Sequence, residues 1–145
     1  MVTVNVVLAT TLDCNYAYPS KELLWPPDHK FHAITIQGVT DADGGDSITI
    51  LVDSITSDEE PAAALGAGGV FKVPDATGIG ESIANLRAER SGVGNGRVYH
   101  IHFTASDGNG GTCQGTVQVA VPHNMMDIPI DDGQDYDATA TSGKH

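Results

Sequence analysis

Two runs in the later part of the chain restrict its fold more than any other feature. In Val98 to Ala105, Tyr99, Ile101, Phe103 and Ala105 fall on alternate positions, and in Cys113 to Val121 so do Cys113, Gly115, Val117, Val119 and Val121. A repeat of two belongs to a strand with one buried face, because successive side chains leave opposite sides of the pleat. The alternation recurs in Val2, Val4, Val6 and Leu8, in the β-branched stretch Phe31 to Gln37, and in Ile48, Ile50 and Val52. Turn clusters lie between these runs, among them Asp41-Ala-Asp43-Gly-Gly-Asp46 and Ser91-Gly-Val-Gly-Asn-Gly96. The pattern predicts an all-β fold rich in turns. Ile83 to Arg90 reads as a further strand, and Phe31–Gln37 is expected to pair with Ile48–Val52 as a hairpin across Asp41–Asp46. Asp58 to Gly80 reads as an irregular connection with a short strand at Val70–Val73.

With 145 residues the chain is sized for one core. Seven Lys and Arg against nineteen Asp and Glu give a net charge of -12, which repels phosphate backbones and anionic membrane surfaces and makes cations the better partners. No apolar run approaches the roughly 18 residues of a membrane helix, so no membrane insertion and no nucleic-acid partner are expected. Met1 to Leu8 carries neither a basic leader nor a small-residue cleavage site. The two cysteines, Cys14 and Cys113, lie beside predicted strands and far apart in sequence, as one bridge in an oxidising compartment requires. The alternative is two buried thiols. After Pro122, Asp127, Asp131, Asp132, Asp135 and Asp137 follow with no basic residue before Lys144. Such a segment is disordered unless something holds it, and a neighbouring chain is the expected holder.

Leu24-Trp25-Pro26-Pro27-Asp28-His29-Lys30, the Asp41-Ala-Asp43-Gly turn, Leu86-Arg-Ala-Glu89-Arg90-Ser-Gly, Gly96-Arg-Val-Tyr99, Ala105-Ser-Asp107-Gly and Val121-Pro122-His123 occur in this order. The series resembles an immunoglobulin-like module of large secreted or surface proteins of bacteria, over roughly Cys14 to His123. The resemblance implies a structural or adhesive role. A fainter similarity is to cadherin repeats, whose calcium motifs look like Asp41-x-Asp43, Leu86-x-x-Glu89 and Ala105-x-Asp107-x-Gly, although Ala88 stands where cadherins carry arginine. By that similarity Asp41, Asp43, Glu89 and Asp107 are calcium candidates.

Calcium takes six to eight oxygen ligands, and Asp41, Asp43, Asp58, Glu59, Glu89 and Asp107 supply the carboxylates if they converge. The competing account is Asx-turns and solvated charge. His100 and His102 share one strand face and His32 stands on another strand, a possible zinc or copper set, but the same spacing is common on the solvent side of a sheet. Tyr99, following a Gly-rich turn at a strand's head, suits a tyrosine corner. Trp25 reads first as a buried sandwich anchor, and with Tyr16 and Tyr18 as the alternative, a glycan platform. No nucleophile elbow, phosphate loop or dinucleotide loop is present, and Asp58-Glu59-Glu60 reads as a loop or cation site rather than a glycosidase pair. The chain is therefore not expected to be an enzyme.

The expected architecture is an immunoglobulin-like antiparallel β-sandwich of about seven strands over 14–123, with an N-terminal strand in 1–13 and an acidic tail or linker in 124–145. The N-terminal strand pairs either within its own sandwich or with a neighbouring domain or subunit. The expected role is an extracellular or cell-surface structural or adhesive module, calcium-stabilised, acting in a tandem array or in a filament built through strand pairing. Its partners are neighbouring copies or adjacent domains. The alternative is a carbohydrate-binding module with a cell-surface glycan as partner.

Overall fold

The computed structural model describes residues 12–28, 30–41, 47–58, 74–88, 96–108, 110–122, 129–134 and 136–140. Ten strands run through them: β1 Leu12–Asp13, β2 Tyr18–Pro19, β3 Phe31–Gln37, β4 Thr40–Asp41, β5 Thr49–Ser57, β6 Ala76–Thr77, β7 Ile83–Arg87, β8 Arg97–Ser106, β9 Thr112–Val121 and β10 Tyr136–Asp137. Two four-stranded sheets, ordered β10-β5-β8-β9 and β2-β3-β7-β6, are joined by the small β1-β4 pair, and every pairing is antiparallel. No described residue is helical, so the fold is all-β and of the β-sandwich type.

The alternating runs become β8 and β9, in register from Arg97↔Val121 to Ser106↔Thr112. Tyr99, Ile101, Phe103 and Ala105 of β8 are buried with Val117, Val119 and Val121 of β9, and Ile34, Ile36, Ala84 and Leu86 of the second sheet complete one core with them. Burying a Val, Leu, Ile or Phe side chain stabilises by about 1.5–3 kcal/mol, so this face holds the layers together.

On β5, Val52 and Ile55 are both buried although they stand three apart. The register slips between Val52 and Ser54, leaving Asp53 as the extra residue of a bulge that resets which side chains face inward. Leu51 is left facing solvent.

The expected hairpin between Phe31–Gln37 and Ile48–Val52 does not form. β3 pairs with β2 and β7, β5 pairs with β10 and β8, and the two lie in different sheets. Alternation marks which face of a strand is buried, but it cannot say whether the strand next in sequence lies alongside or in the opposite layer. Trp25 is likewise not the buried anchor. It is 38% exposed, while Leu24 beside it is 2% exposed. Leu24 is held by a parallel bridge between Leu23 and Ala120, in which the Leu24 amide donates to Ala120 O at 2.9 Å and the Ala120 amide to Glu22 O at 2.9 Å.

Of the acidic segment after Pro122, residues 129–134 and 136–140 fold back on their own chain. β10 extends the first sheet along the edge of β5, with Tyr136 opposite Ser57 and Asp137 opposite Thr56. The next residue, Ala138, is completely buried. Its amide donates to Ile55 O at 3.0 Å, and its carbonyl accepts from the amides of Asp75 at 3.0 Å and Ala76 at 2.9 Å. One residue thus stitches the β5 edge of one sheet to the β6 edge of the other. The expected strands at Val2–Leu8 and Val70–Val73 lie outside the described residues.

Candidate functional site

The cysteines form one disulfide, Cys14 to Cys113, with Cα atoms 5.9 Å apart and a sequence separation of 99. It ties the residue after β1 to the first turn of β9, where Gly115 admits the Phe103 ring: a Cβ at Gly115 would stand 2.7 Å from that ring and 3.3 Å from Cys14 Cβ.

Among the six acids of the calcium reading, Asp43, Glu59 and Glu89 lie outside the described residues. Asp107 is buried, and its Oδ1 accepts from the Gly111 amide at 2.9 Å, closing the β8-β9 turn. Asp41 pairs across from Leu12 in the β1-β4 pair. Asp58 follows β5 and lies beside the start of β8, since its Oδ1 accepts from the Val98 amide at 2.8 Å. Asp107 follows the last residue of β8. A ten-residue strand between them spans about 30 Å, so one ion does not take both. Among the described residues no group of three or more His, Cys, Asp and Glu side chains stands together as a metal cage.

The histidines divide between the layers. His32, on β3, lies 3.0 Å from Asp28 Oδ1, and this contact holds the Asp28 carboxyl below its ordinary pKa. His100 and His102 are on β8 in the other sheet, with ring centres 6.0 Å apart. His32 does not join them.

His100 faces the C-terminal segment, and His102 is linked to it through Thr56. His100 Nε2 stands 2.8 Å from Asp131 Oδ2, while Asp131 Oδ1 accepts from the Gly133 amide and from Gln134 Nε2, each at 3.0 Å. Burial alone would raise the pKa of Asp131, but the bonds from Gln134, Gly133 and His100 outweigh it and hold the group ionised. Gln134 Nε2 also donates to Val98 O at 3.0 Å, and its Oε1 accepts from the Thr56 hydroxyl at 2.7 Å. With the only Thr56 hydroxyl proton so used, His102 Nε2, at 3.4 Å from Thr56 Oγ1, is the donor there, and its Nδ1 accepts from Thr116 Oγ1 at 2.9 Å. Desolvation, with the neighbouring charge of His100, lowers the His102 pKa against a smaller opposing pull from Asp53. Asp58 completes the arrangement, accepting from the Asp132 amide at 3.1 Å. Its burial raises its pKa, partly offset by the amides of Val98 and Asp132 and reinforced by the charges of Asp131 and Asp132.

Behind this segment lies a buried polar knot. Arg97 Nη1 is 2.5 Å from Asp75 Oδ2, and both side chains are fully buried. Arg97 Nη1 also donates to the Tyr99 hydroxyl at 3.3 Å, and that hydroxyl donates to the Arg87 carbonyl at 2.8 Å. The bond from Tyr99 at the head of β8 to the end of β7 is the inter-sheet tie expected of a tyrosine corner. The Asp75–Arg97 pair escaped the sequence reading because Asp75 sits in a stretch of Ala, Gly and Asp with no periodicity. A lone Arg opening an apolar strand was the one available signal.

Of the aromatic candidates, Tyr16 and Tyr18 share one stretch of chain and Trp25 lies after it. Tyr16, in the turn after Cys14, is 72% exposed and Tyr18, on β2, is 48% exposed. Trp25 precedes the cis peptide to Pro26. No family model, curated protein or solved structure matches the chain.

Proposed function

We propose that the chain is a non-catalytic immunoglobulin-like module, extracellular or on a cell surface, that acts as a rigid structural or adhesive unit in an array or polymer of neighbouring copies. The observation that carries this reading is the strand order. β2-β3-β7-β6 follows the A-B-E-D order of an immunoglobulin sheet and β5-β8-β9 the C-F-G order of its partner. β10 is an addition beside β5. The Tyr99 tie supports the same reading, whereas the disulfide departs from the usual link between strands B and F, joining the N-terminal residues to β9 instead. Stabilisation comes from the shared core, the bridge and the seated C-terminal segment, an arrangement that transmits force and exposes side chains for contact.

Calcium belongs to this reading through Asp41, Asp43, Glu89 and Asp107, of which Asp43 and Glu89 lie outside the described residues. Asp58, at the opposite end of β8 from Asp107, has both carboxylate oxygens engaged by amides. Electron microscopy across a range of concentrations, with calcium or with a chelator, tests the assembly. Rods or filaments are expected, and single particles under every condition overturn it.

The exposure of Trp25, Tyr16 and Tyr18 favours a second reading, the glycan-binding module. It predicts retention on immobilised polysaccharide that Trp25→Ala abolishes.

A further inference from the structure

We propose that the segment 129–140 is exchangeable between copies, and that the seam it fills between β5 and β6 accepts the same segment from a second chain. The inference deepens the polymer reading of the preceding section and rests on it for its purpose.

Three observations carry it. First, the segment is seated on the sandwich body by contacts that another copy supplies unchanged. These are the pairing of Tyr136 and Asp137 with Ser57 and Thr56, the three main-chain bonds of Ala138 to Ile55, Asp75 and Ala76, and the Asp131–His100 and Asp132–Asp58 contacts. None depends on which chain the segment belongs to.

Second, the tether is longer than its task. A Cβ placed on Gly96 would be 2.9 Å from Val121 O and 3.0 Å from the Pro129 ring, so the end of β9 and the start of the segment flank the same residue. Residues 122–128 connect these neighbouring points, whereas a stretch of that length reaches about 25 Å when extended. That is enough to carry the segment to an adjoining body. A tether of this length sets an effective local concentration on the order of millimolar, and copies packed in an array or filament reach this range.

Third, a body that has released its segment cannot stay empty at low cost. The amides of Asp75 and Ala76 and the carbonyl of Ile55 lose their bonds to Ala138 together, the buried Asp58 carboxylate loses the Asp132 amide and keeps that of Val98, and the β5 edge opens. The segment of another copy fits this set group for group, because it is the same segment. Exchange of an identical element is a low-cost route to association: reciprocal exchange closes a dimer, and onward exchange builds a filament.

The test uses Thr56 and Asp137, which face each other across β5 and β10. Full-length T56C chains are mixed with full-length D137C chains at millimolar concentration, diluted, oxidised and run on a non-reducing gel. A disulfide-linked heterodimer at more than ten times the yield from chains mixed only after dilution is expected. The T56C/D137C double variant, oxidised when dilute, serves as the control and should close a link within one chain. If that control links and the mixture does not, the exchange is overturned while the scaffold reading stands. If the control itself fails to link, the seating of β10 on β5 is overturned and the exchange with it. Linked heterodimers that remain closed pairs under the electron microscope support the exchange and count against the array.

Discussion

Replacing Arg97 with methionine keeps most of the side-chain volume and removes the charge, which isolates what the buried pair contributes. Asp75 is fully buried, its Oδ2 lies 2.5 Å from Arg97 Nη1, and the next cation among the described residues is Arg87 Nε at 4.0 Å from Oδ1. Without Arg97, a desolvated carboxylate has one long ion pair in place of two. Breaking a buried pair from one side costs about 3–5 kcal/mol. Asp75→Ala, which strands the guanidinium instead, is expected to cost about as much. The D75A/R97M double variant removes both charges, and its loss should be smaller than the sum of the single losses by at least about 3 kcal/mol, because paired desolvation penalties vanish together. The Asp75 amide that bonds to Ala138 is untouched by any of these changes. Urea unfolding at neutral pH with the disulfide intact reads the cycle. With a slope of about 1.5 kcal/mol per molar, each single variant moves the midpoint down by about 2–3 M. Single variants that each lose less than 1 kcal/mol, or a double variant that loses the full sum, would refute the argument that Asp75 and Arg97 compensate each other in the seam.

His102 has a lowered pKa, so the unfolded chain binds its proton first. The wild type should lose stability as pH falls from about 7 through the folded pKa, and His102→Gln should flatten that part of the profile in pH-dependent urea unfolding. Asp58 has the opposite sign: its raised pKa makes the folded chain the better proton binder, so its contribution is present at low pH and lost as pH rises through the folded value. Asp58→Asn should therefore remove a fall in stability on the alkaline side of the ordinary Asp range, measured in the same way. Replacing Cys14 and Cys113 with serine releases a closure 99 residues long and should lower stability by about 4–5 kcal/mol in the chain-entropy account, read by denaturant midpoint. Gly115→Ala presses a methyl group against the Phe103 ring and should cost about 1–3 kcal/mol, read by thermal unfolding.

The layers of this fold were legible wherever an apolar residue returned at every second position. Phe31–Gln37 forms β3 over those same residues, and the inward set of β8 follows the alternation of Tyr99, Ile101, Phe103 and Ala105. β5 was legible only as far as Val52, because the bulge at Asp53 breaks the period that identifies a strand. The candidate site was far less visible. Its C-terminal half is a run of acidic and small residues whose seating depends on backbone bonds, and backbone bonds leave no trace in side-chain patterning. Asp58 was noticed as part of an acidic triplet, but its two amide partners, Val98 and Asp132, come from positions 40 and 74 residues further along the chain. Asp131 looked like one solvated charge among several until the fold brought His100 beside it.

The way the sheet edges are covered decides how such a sandwich can associate. An open edge presents unpaired amides and carbonyls and invites another strand. Among the described residues, β9 has its outer edge covered at Leu23, β5 by β10, and β6 is bonded through Ala76 to Ala138. The outer edges then belong to β2 and β10, strands of two residues each, and to β9, a ten-residue strand bridged at Ala120. Simple addition of one sandwich to the side of another therefore has the edge of β9 as its longest stretch of backbone. Association at the seam between β5 and β6 must displace what is already seated there, the segment 129–140, which Val121 and Pro129 place next to the end of β9. Leu23, by contrast, is fixed between the disulfide at Cys14 and the start of β3. In the exchange proposed above, the backbone of a second copy would enter at the seam between β5 and β6, where Ile55, Asp75 and Ala76 bond to Ala138 and where Asp58 accepts from the Asp132 amide.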